Sequence, residues 1–113
     1  MAKIRRYGGP FFLEISNGKI REYGGPYIYE ITGNYLRRYG GPYAYQFDGD
    51  KIRQYGGPYL MEFNGRYLRR YGGPYIVEVD GNKLRRYGGP YEYEIDGFIS
   101  HLELMALLTL LYL

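Results

Sequence analysis

Tyr-Gly-Gly-Pro occurs six times, beginning at Tyr7, Tyr23, Tyr39, Tyr55, Tyr71 and Tyr87, always 16 residues apart. A fixed period this short makes the chain one small unit repeated, so residues recurring in every copy serve first the geometry of the copy. The copies start near residues 3, 19, 35, 51, 67 and 83 and read (Lys/Tyr)-(Ile/Leu)-Arg-x-Tyr-Gly-Gly-Pro-(Tyr/Phe)-x-apolar-(Glu/Gln)-(Ile/Phe/Val). All 18 glycines and all 6 prolines fall in turns of this unit. The stretches between turns, about five residues rich in Tyr and Ile, have strand length and are too short for helices. Asp48-Gly49, Asn64-Gly65, Asp80-Gly81 and Asp96-Gly97 suit two-residue hairpin turns, and the Gly-Gly pairs suit the same turn at the other end. Residues 1–97 therefore read as six β-hairpins; only the first copy departs, its Ser16-Asn17-Gly18 moving the turn glycine by one place.

Two-residue turns at both ends would place Leu36 opposite Tyr45, Arg38 opposite Tyr43, Arg37 opposite Ala44, Tyr39 opposite Pro42 and Gln46 opposite Lys51. Period-two alternation then puts Leu36, Tyr43, Tyr45 and Phe47 on one largely apolar face. On the other face Glu14, Glu30, Glu62 and Glu78 would lie opposite Lys19, Tyr35, Tyr67 and Lys83. Such a sheet is one-sided and needs a partner.

Residues 98–113 supply it. Ser100 and Glu103 form a capping box, with Ile99 and Leu104 as a hydrophobic staple, so a helix is expected from about His101 to Leu113. Its seven leucines, Met105, Ala106 and Tyr112 occupy every side of the helical wheel, the pattern of a helix enclosed all round. It is too short to span a bilayer, which takes about 20 apolar residues. The fold class that follows is an all-β repeat protein with one C-terminal helix, the hairpins forming a shallow antiparallel barrel of about 12 strands around that helix. A β-solenoid with two strands per coil and an open single-layer sheet are the competing arrangements; the first needs a cap with a polar outer side, the second leaves its edges and the helix bare. Perfect two-residue turns give no shear, whereas a barrel needs tilted strands, so an extra residue or bulge is expected at one turn type.

The repeated units, from "KIRRYGGPFFLEI" to "KLRRYGGPYEYEI", and the terminal "SHLELMALLTLLYL" resemble the β-flower proteins, shallow symmetric barrels of hairpin petals around a hydrophobic helix. These are in turn similar in shape to the tubby C-terminal domain. The tubby likeness implies phosphoinositide binding, but no matching binding motif is present in this chain and no residue is carried over. The β-flower likeness implies a fold and no biochemical activity.

Ten of the 11 arginines lie within two residues of a Tyr-Gly-Gly-Pro turn: Arg5, Arg21, Arg37, Arg53, Arg69 and Arg85 in every copy, and Arg6, Arg38, Arg70 and Arg86 directly after four of them. Asp48, Asp50, Asp80 and Asp96 collect at the opposite turns, so one rim is expected to be basic and tyrosine-rich and the other acidic. One reading makes these arginines structural, stacked on facing tyrosines and paired with glutamates. The other makes Arg5, Arg6, Arg37, Arg38, Arg69, Arg70, Arg85 and Arg86 an anion- or lipid-binding crown. A helix of roughly 20 Å in a wall nearer 14 Å would push Leu110, Leu111, Tyr112 and Leu113 through that crown as an apolar tip. Such a tip suits docking on an anionic membrane surface or burial in a second copy of the chain.

Other chemistry finds little footing. There is no Cys, and the one histidine, His101, sits in the first helical turn, so no metal site is expected. The recurring glutamates single out no catalytic pair, no nucleophile constellation is present, and Gly-Gly-Pro precedes no helix that would cradle a phosphate. Neither enzymatic activity nor a cofactor is expected. A net charge of +3 argues against nucleic acid despite the interleaved Arg and Tyr. The N-terminal Met1-Ala2-Lys3-Ile4-Arg5-Arg6 shows no apolar signal segment, which points to the cytoplasm or the periphery of a membrane.

Overall fold

A computed structural model describes residues 1–113. It contains β1 (Ala2–Arg6), β2 (Phe11–Ser16), β3 (Lys19–Glu22), β4 (Tyr27–Thr32), β5 (Tyr35–Arg38), β6 (Tyr43–Asp48), β7 (Lys51–Gln54), β8 (Tyr59–Phe63), β9 (Tyr67–Arg70), β10 (Tyr75–Asp80), β11 (Lys83–Arg86), β12 (Tyr91–Gly97) and the helix α1 (His101–Tyr112). Every strand pairs with its sequence neighbours, and β1 pairs antiparallel with β12, so the twelve strands close into a barrel with no free edge. The solenoid and the open sheet are thereby excluded.

The inner face is the one the alternation indicates. The apolar residue at the second position of each copy, Ile4, Ile20, Leu36, Ile52, Leu68 and Leu84, is fully buried, and Ile15, Phe47, Phe63, Val79 and Ile95 line the same lumen. The helix fills it. Met105, Ala106, Leu107, Leu108 and Thr109 are buried in succession, which requires wall on every side of the helix. The buried Thr109 hydroxyl is satisfied by donating to the Met105 carbonyl. The Ser100 capping box is formed, and Glu103 also accepts from the Gly18 N–H at 3.0 Å, fixing the helix start to the first hairpin. Burial by itself would raise the Glu103 pKa, but the N–H groups of Ser100 and Gly18 pull it below the ordinary value.

The turns differ from the expected ones, and the pairing moves with them. At the Asx-Gly end, Gly33, Gly49 and Gly81 take positive φ at the first central position, with Asn34, Asp50 and Asn82 second, a Gly-X turn. In the first copy Asn17 and Gly18 both have positive φ, an Asn-Gly turn of the other type; that is why its glycine is displaced. Gln46 consequently faces Arg53, not Lys51, and Glu14, Glu30, Glu62 and Glu78 face Arg21, Arg37, Arg69 and Arg85, not Lys19, Tyr35, Tyr67 and Lys83.

At the other end Tyr-Gly, rather than Gly-Gly, forms the turn centre. In the first copy Gly8, at φ 78°, takes the position that demands a left-handed residue, and the Gly9 N–H closes the turn on the Arg6 carbonyl at 2.8 Å. A bulge follows in each of the six copies. Leu36 faces Tyr45 as expected, but Arg37 faces Tyr43, with Ala44 skipped. The expected Arg38–Tyr43 and Arg37–Ala44 pairs are therefore not made, and Tyr43 lies on the outer face, not the inner. The bulges supply the shear that closure requires. The carbonyls of the skipped Phe12, Ile28, Ala44, Leu60, Ile76 and Glu92 accept from the tyrosine N–H of a neighbouring Tyr-Gly-Gly-Pro at 2.9 to 3.0 Å, so the bulge leaves none of these six carbonyls orphaned.

Candidate functional site: the Tyr-Gly-Gly-Pro mouth

The molecule is a disc of 37 × 35 × 18 Å. Twelve helical residues rise about 18 Å, so the helix matches the thickness of the disc and does not stand far out of it. Leu110, Leu111 and Tyr112 are half-buried against the core, and of the expected tip only Leu113 is exposed, at 45%. The wall is taller than strand length alone implies because the four-residue Tyr-Gly-Gly-Pro loops stand above the last strand pairs.

Alternation divides the arginines. Arg5, Arg21, Arg37, Arg69 and Arg85 lie on the outer wall, where Arg5–Glu94 (2.6 Å), Arg37–Glu30 (2.9 Å), Arg69–Glu62 (2.7 Å) and Arg85–Glu78 (2.6 Å) join each hairpin to the next and the last to the first. Arg21 pairs with Glu14 in the same way, and Arg53 reaches Gln46 and Asp48. Hydrogen bonds from Arg85, helped by Arg66 and opposed by desolvation, hold the Glu78 carboxyl below its ordinary pKa of 4.5. Partly exposed pairs of this kind contribute about 0–1 kcal/mol each, so they set register more than stability.

Arg6, Arg38, Arg70 and Arg86 instead lie on the inner face at the mouth, all exposed. The guanidinium groups of Arg6, Arg38 and Arg86 sit 5.5 Å from the ring centroids of Tyr93, Tyr29 and Tyr112. At the same level Glu22 and Gln54 occupy the equivalent places in the second and fourth copies. The bulge residues Phe12, Ile28, Leu60 and Ile76 pack inward as an apolar collar around the helix end. Glu92, the one charged bulge residue, accepts from the Tyr112 hydroxyl at 2.8 Å and lies 3.7 Å from Arg86. Burial, with this hydrogen bond second, pushes the Tyr112 hydroxyl far above the usual tyrosine range. Glu22 follows from the period, whereas Glu92 reaches the mouth only through the bulge and is invisible to simple alternation.

Six aromatic pairs, each joining a turn tyrosine to the first aromatic of a strand, ring the outer side of the mouth: Tyr7–Tyr91, Tyr23–Phe11, Tyr39–Tyr27, Tyr55–Tyr43, Tyr71–Tyr59 and Tyr87–Tyr75, with centroids 5.2 to 5.6 Å apart. The opposite rim is not acidic, as its aspartates suggest, because Lys3, Lys19, Lys51, Lys83 and Arg66 share that end of the strands with Asp48, Asp50, Asp80 and Asp96. His101 stacks on Phe63 at 5.6 Å there, and no group of three or more His, Cys, Asp or Glu is placed to hold a metal ion. No helix is long and apolar enough to cross a membrane.

The architecture defines a closed twelve-stranded antiparallel barrel, built from six hairpin repeats, with its C-terminal helix as the core. No family model, curated protein or solved structure was found to match the chain.

Proposed function

We propose that this is a non-enzymatic binding module of the β-flower type that docks its Tyr-Gly-Gly-Pro face on anionic membrane surfaces. The observation that carries the reading is the layout of one face: exposed Arg6, Arg38, Arg70 and Arg86 around a half-exposed Leu113, inside a perimeter of six tyrosines that are 48–56% exposed. Tyrosine suits the headgroup level, with an apolar ring and a polar tip. Four arginines against Glu22 and Glu92 leave this mouth at +2. At about 1 kcal/mol per basic charge near an anionic leaflet, with about 1 kcal/mol more from covering Leu113, a single copy binds weakly, salt-sensitively and reversibly. Stable attachment then requires several copies on one surface.

Flotation with phosphatidylserine-containing and with neutral phosphatidylcholine vesicles tests this. Binding only to the anionic vesicles, lost at 1 M salt and lost in an Arg38→Glu/Arg70→Glu/Arg86→Glu variant of unchanged melting temperature, supports it. Wild-type protein that ignores anionic vesicles at low salt refutes it. In that case self-association through Leu113 becomes the better reading, with Phe98, 75% exposed on the opposite face, as a second apolar point. A mass above the monomer in plain buffer is its signature.

A further inference from the structure

The six outer aromatic pairs are not equivalent, and the first residue of each copy decides how they differ. In four copies it is lysine, and the ammonium groups of Lys3, Lys19, Lys51 and Lys83 lie 5.6 to 5.8 Å over a ring of the pair. In those pairs the ring planes are inclined by 35–44°. In the third and fifth copies tyrosine stands there instead. Tyr35 stacks on Tyr43, and Tyr67 on Tyr75, both at 4.4 Å. The added ring also meets the far member of the pair edge-on, Tyr35 with Tyr55 and Tyr67 with Tyr87. Tyr55 and Tyr87 then incline to their partners by 61° and 57°.

An open groove lies beside the pair in these two copies, of about 300 Å³ at Pro42, Tyr43 and Tyr55 and about 360 Å³ at Pro74, Tyr75 and Tyr87. Gly41 and Arg37, or Gly73 and Arg69, complete each groove. The arginine of each groove is paired with Glu30 or Glu62, so the groove carries no unbalanced side-chain charge. The hydroxyls of Tyr43, Tyr55, Tyr75 and Tyr87 make no internal hydrogen bond, unlike that of Tyr91, which donates to Asp80. Tyrosine rings, a proline ring and free hydroxyl donors, with the one arginine of each groove already paired, match one ligand chemistry closely. A polyproline II segment offers flat pyrrolidine rings, carries no charge, and has carbonyls with no internal partner.

We infer that the two grooves are a duplicated docking site for an extended proline-rich segment of a partner protein, created by Tyr35 and Tyr67. The grooves share Tyr55 and Tyr87 with the perimeter of the mouth, so a bound peptide and an anionic surface would compete for these two rings, but the inference does not rest on the membrane reading.

Isothermal titration of the full chain with an uncharged, end-blocked decaproline peptide tests it. The expected result is two equivalents per chain with a dissociation constant below about 1 mM. Tyr35→Lys/Tyr67→Lys installs the residue that four other copies already carry, so the barrel is preserved; affinity should fall at least about tenfold, because the rings that stack on Tyr43 and Tyr75 and tilt Tyr55 and Tyr87 are gone. In the opposite direction, Lys51→Tyr should add a third equivalent. Absence of decaproline binding at millimolar concentration, or equal binding by the Tyr35→Lys/Tyr67→Lys variant, would overturn the inference. So would a neutral oligosaccharide such as cellohexaose that binds these grooves while decaproline does not.

Discussion

Leu107→Ala measures directly what the enclosed helix does. Leu107 is fully buried at the middle of α1, inside a wall whose twelve strands are hydrogen-bonded into a closed hoop. Truncation removes three carbons' worth of apolar surface, about 2 kcal/mol of transfer free energy. It also leaves a cavity whose cost depends on how far the surroundings relax, and buried Leu→Ala substitutions range over about 2–5 kcal/mol for that reason. A hoop cannot narrow at one level without breaking strand pairing, so collapse is restricted and the cost should lie near 3–4 kcal/mol. Against a total stability of about 5–15 kcal/mol, that is a large share. Leu113→Ala, at the exposed helix end, is the internal control and should cost under about 1 kcal/mol. Urea unfolding followed by circular dichroism gives both values, with unchanged slopes required for the comparison. Equal, small effects at Leu107 and Leu113 would refute a helix enclosed by the barrel.

Further outcomes follow from the turns and the charges. Gly97 has φ of 99°, and a Cβ added there would land on the Met1 carbonyl oxygen at the β1–β12 seam; Gly97→Ala should therefore lower the melting temperature by several degrees, more than Gly49→Ala, whose Cβ meets open space. The Glu78 pKa is lowered in the folded chain, so its contribution is present above its ordinary value of 4.5 and is lost as pH falls through the lower folded value. Melting temperature should accordingly decline below about pH 4.5, and Glu78→Gln should flatten that decline while lowering stability at pH 7; an unchanged pH profile would show that the Arg85–Glu78 pair contributes nothing.

The period, the twelve strands, the inner face and the helix with its capping box were all legible in the sequence because each is written by repetition or by alternation. Leu36 and Phe47 go inward wherever the turn begins, so the core was insensitive to turn detail. The facing pairs were sensitive to it. Moving the turn centre from Asp48-Gly49 to Gly49-Asp50 shifts Gln46 from Lys51 to Arg53, and one skipped residue, Ala44, turns Tyr43 outward. Need for a bulge followed from barrel shear, but its position did not, since no side chain of the unit marks it. The mouth was legible in part. Arg6, Arg38, Arg70 and Arg86 fell where expected, whereas Glu92 and the apolar collar owe their inward direction to the bulge. The protruding tip was overestimated because strand length ignores the height that loops add to a wall.

The claim most in need of trial is that the Tyr-Gly-Gly-Pro face, and not the opposite one, meets the membrane. The chain has no tryptophan, so Leu113→Trp and Phe98→Trp each place one reporter, on opposite faces of the disc. With anionic vesicles containing brominated lipid, Trp fluorescence of the Leu113→Trp protein should shift to the blue and be quenched, while that of the Phe98→Trp protein stays unchanged. Quenching at position 98 alone, or at neither position at low salt, would contradict the account.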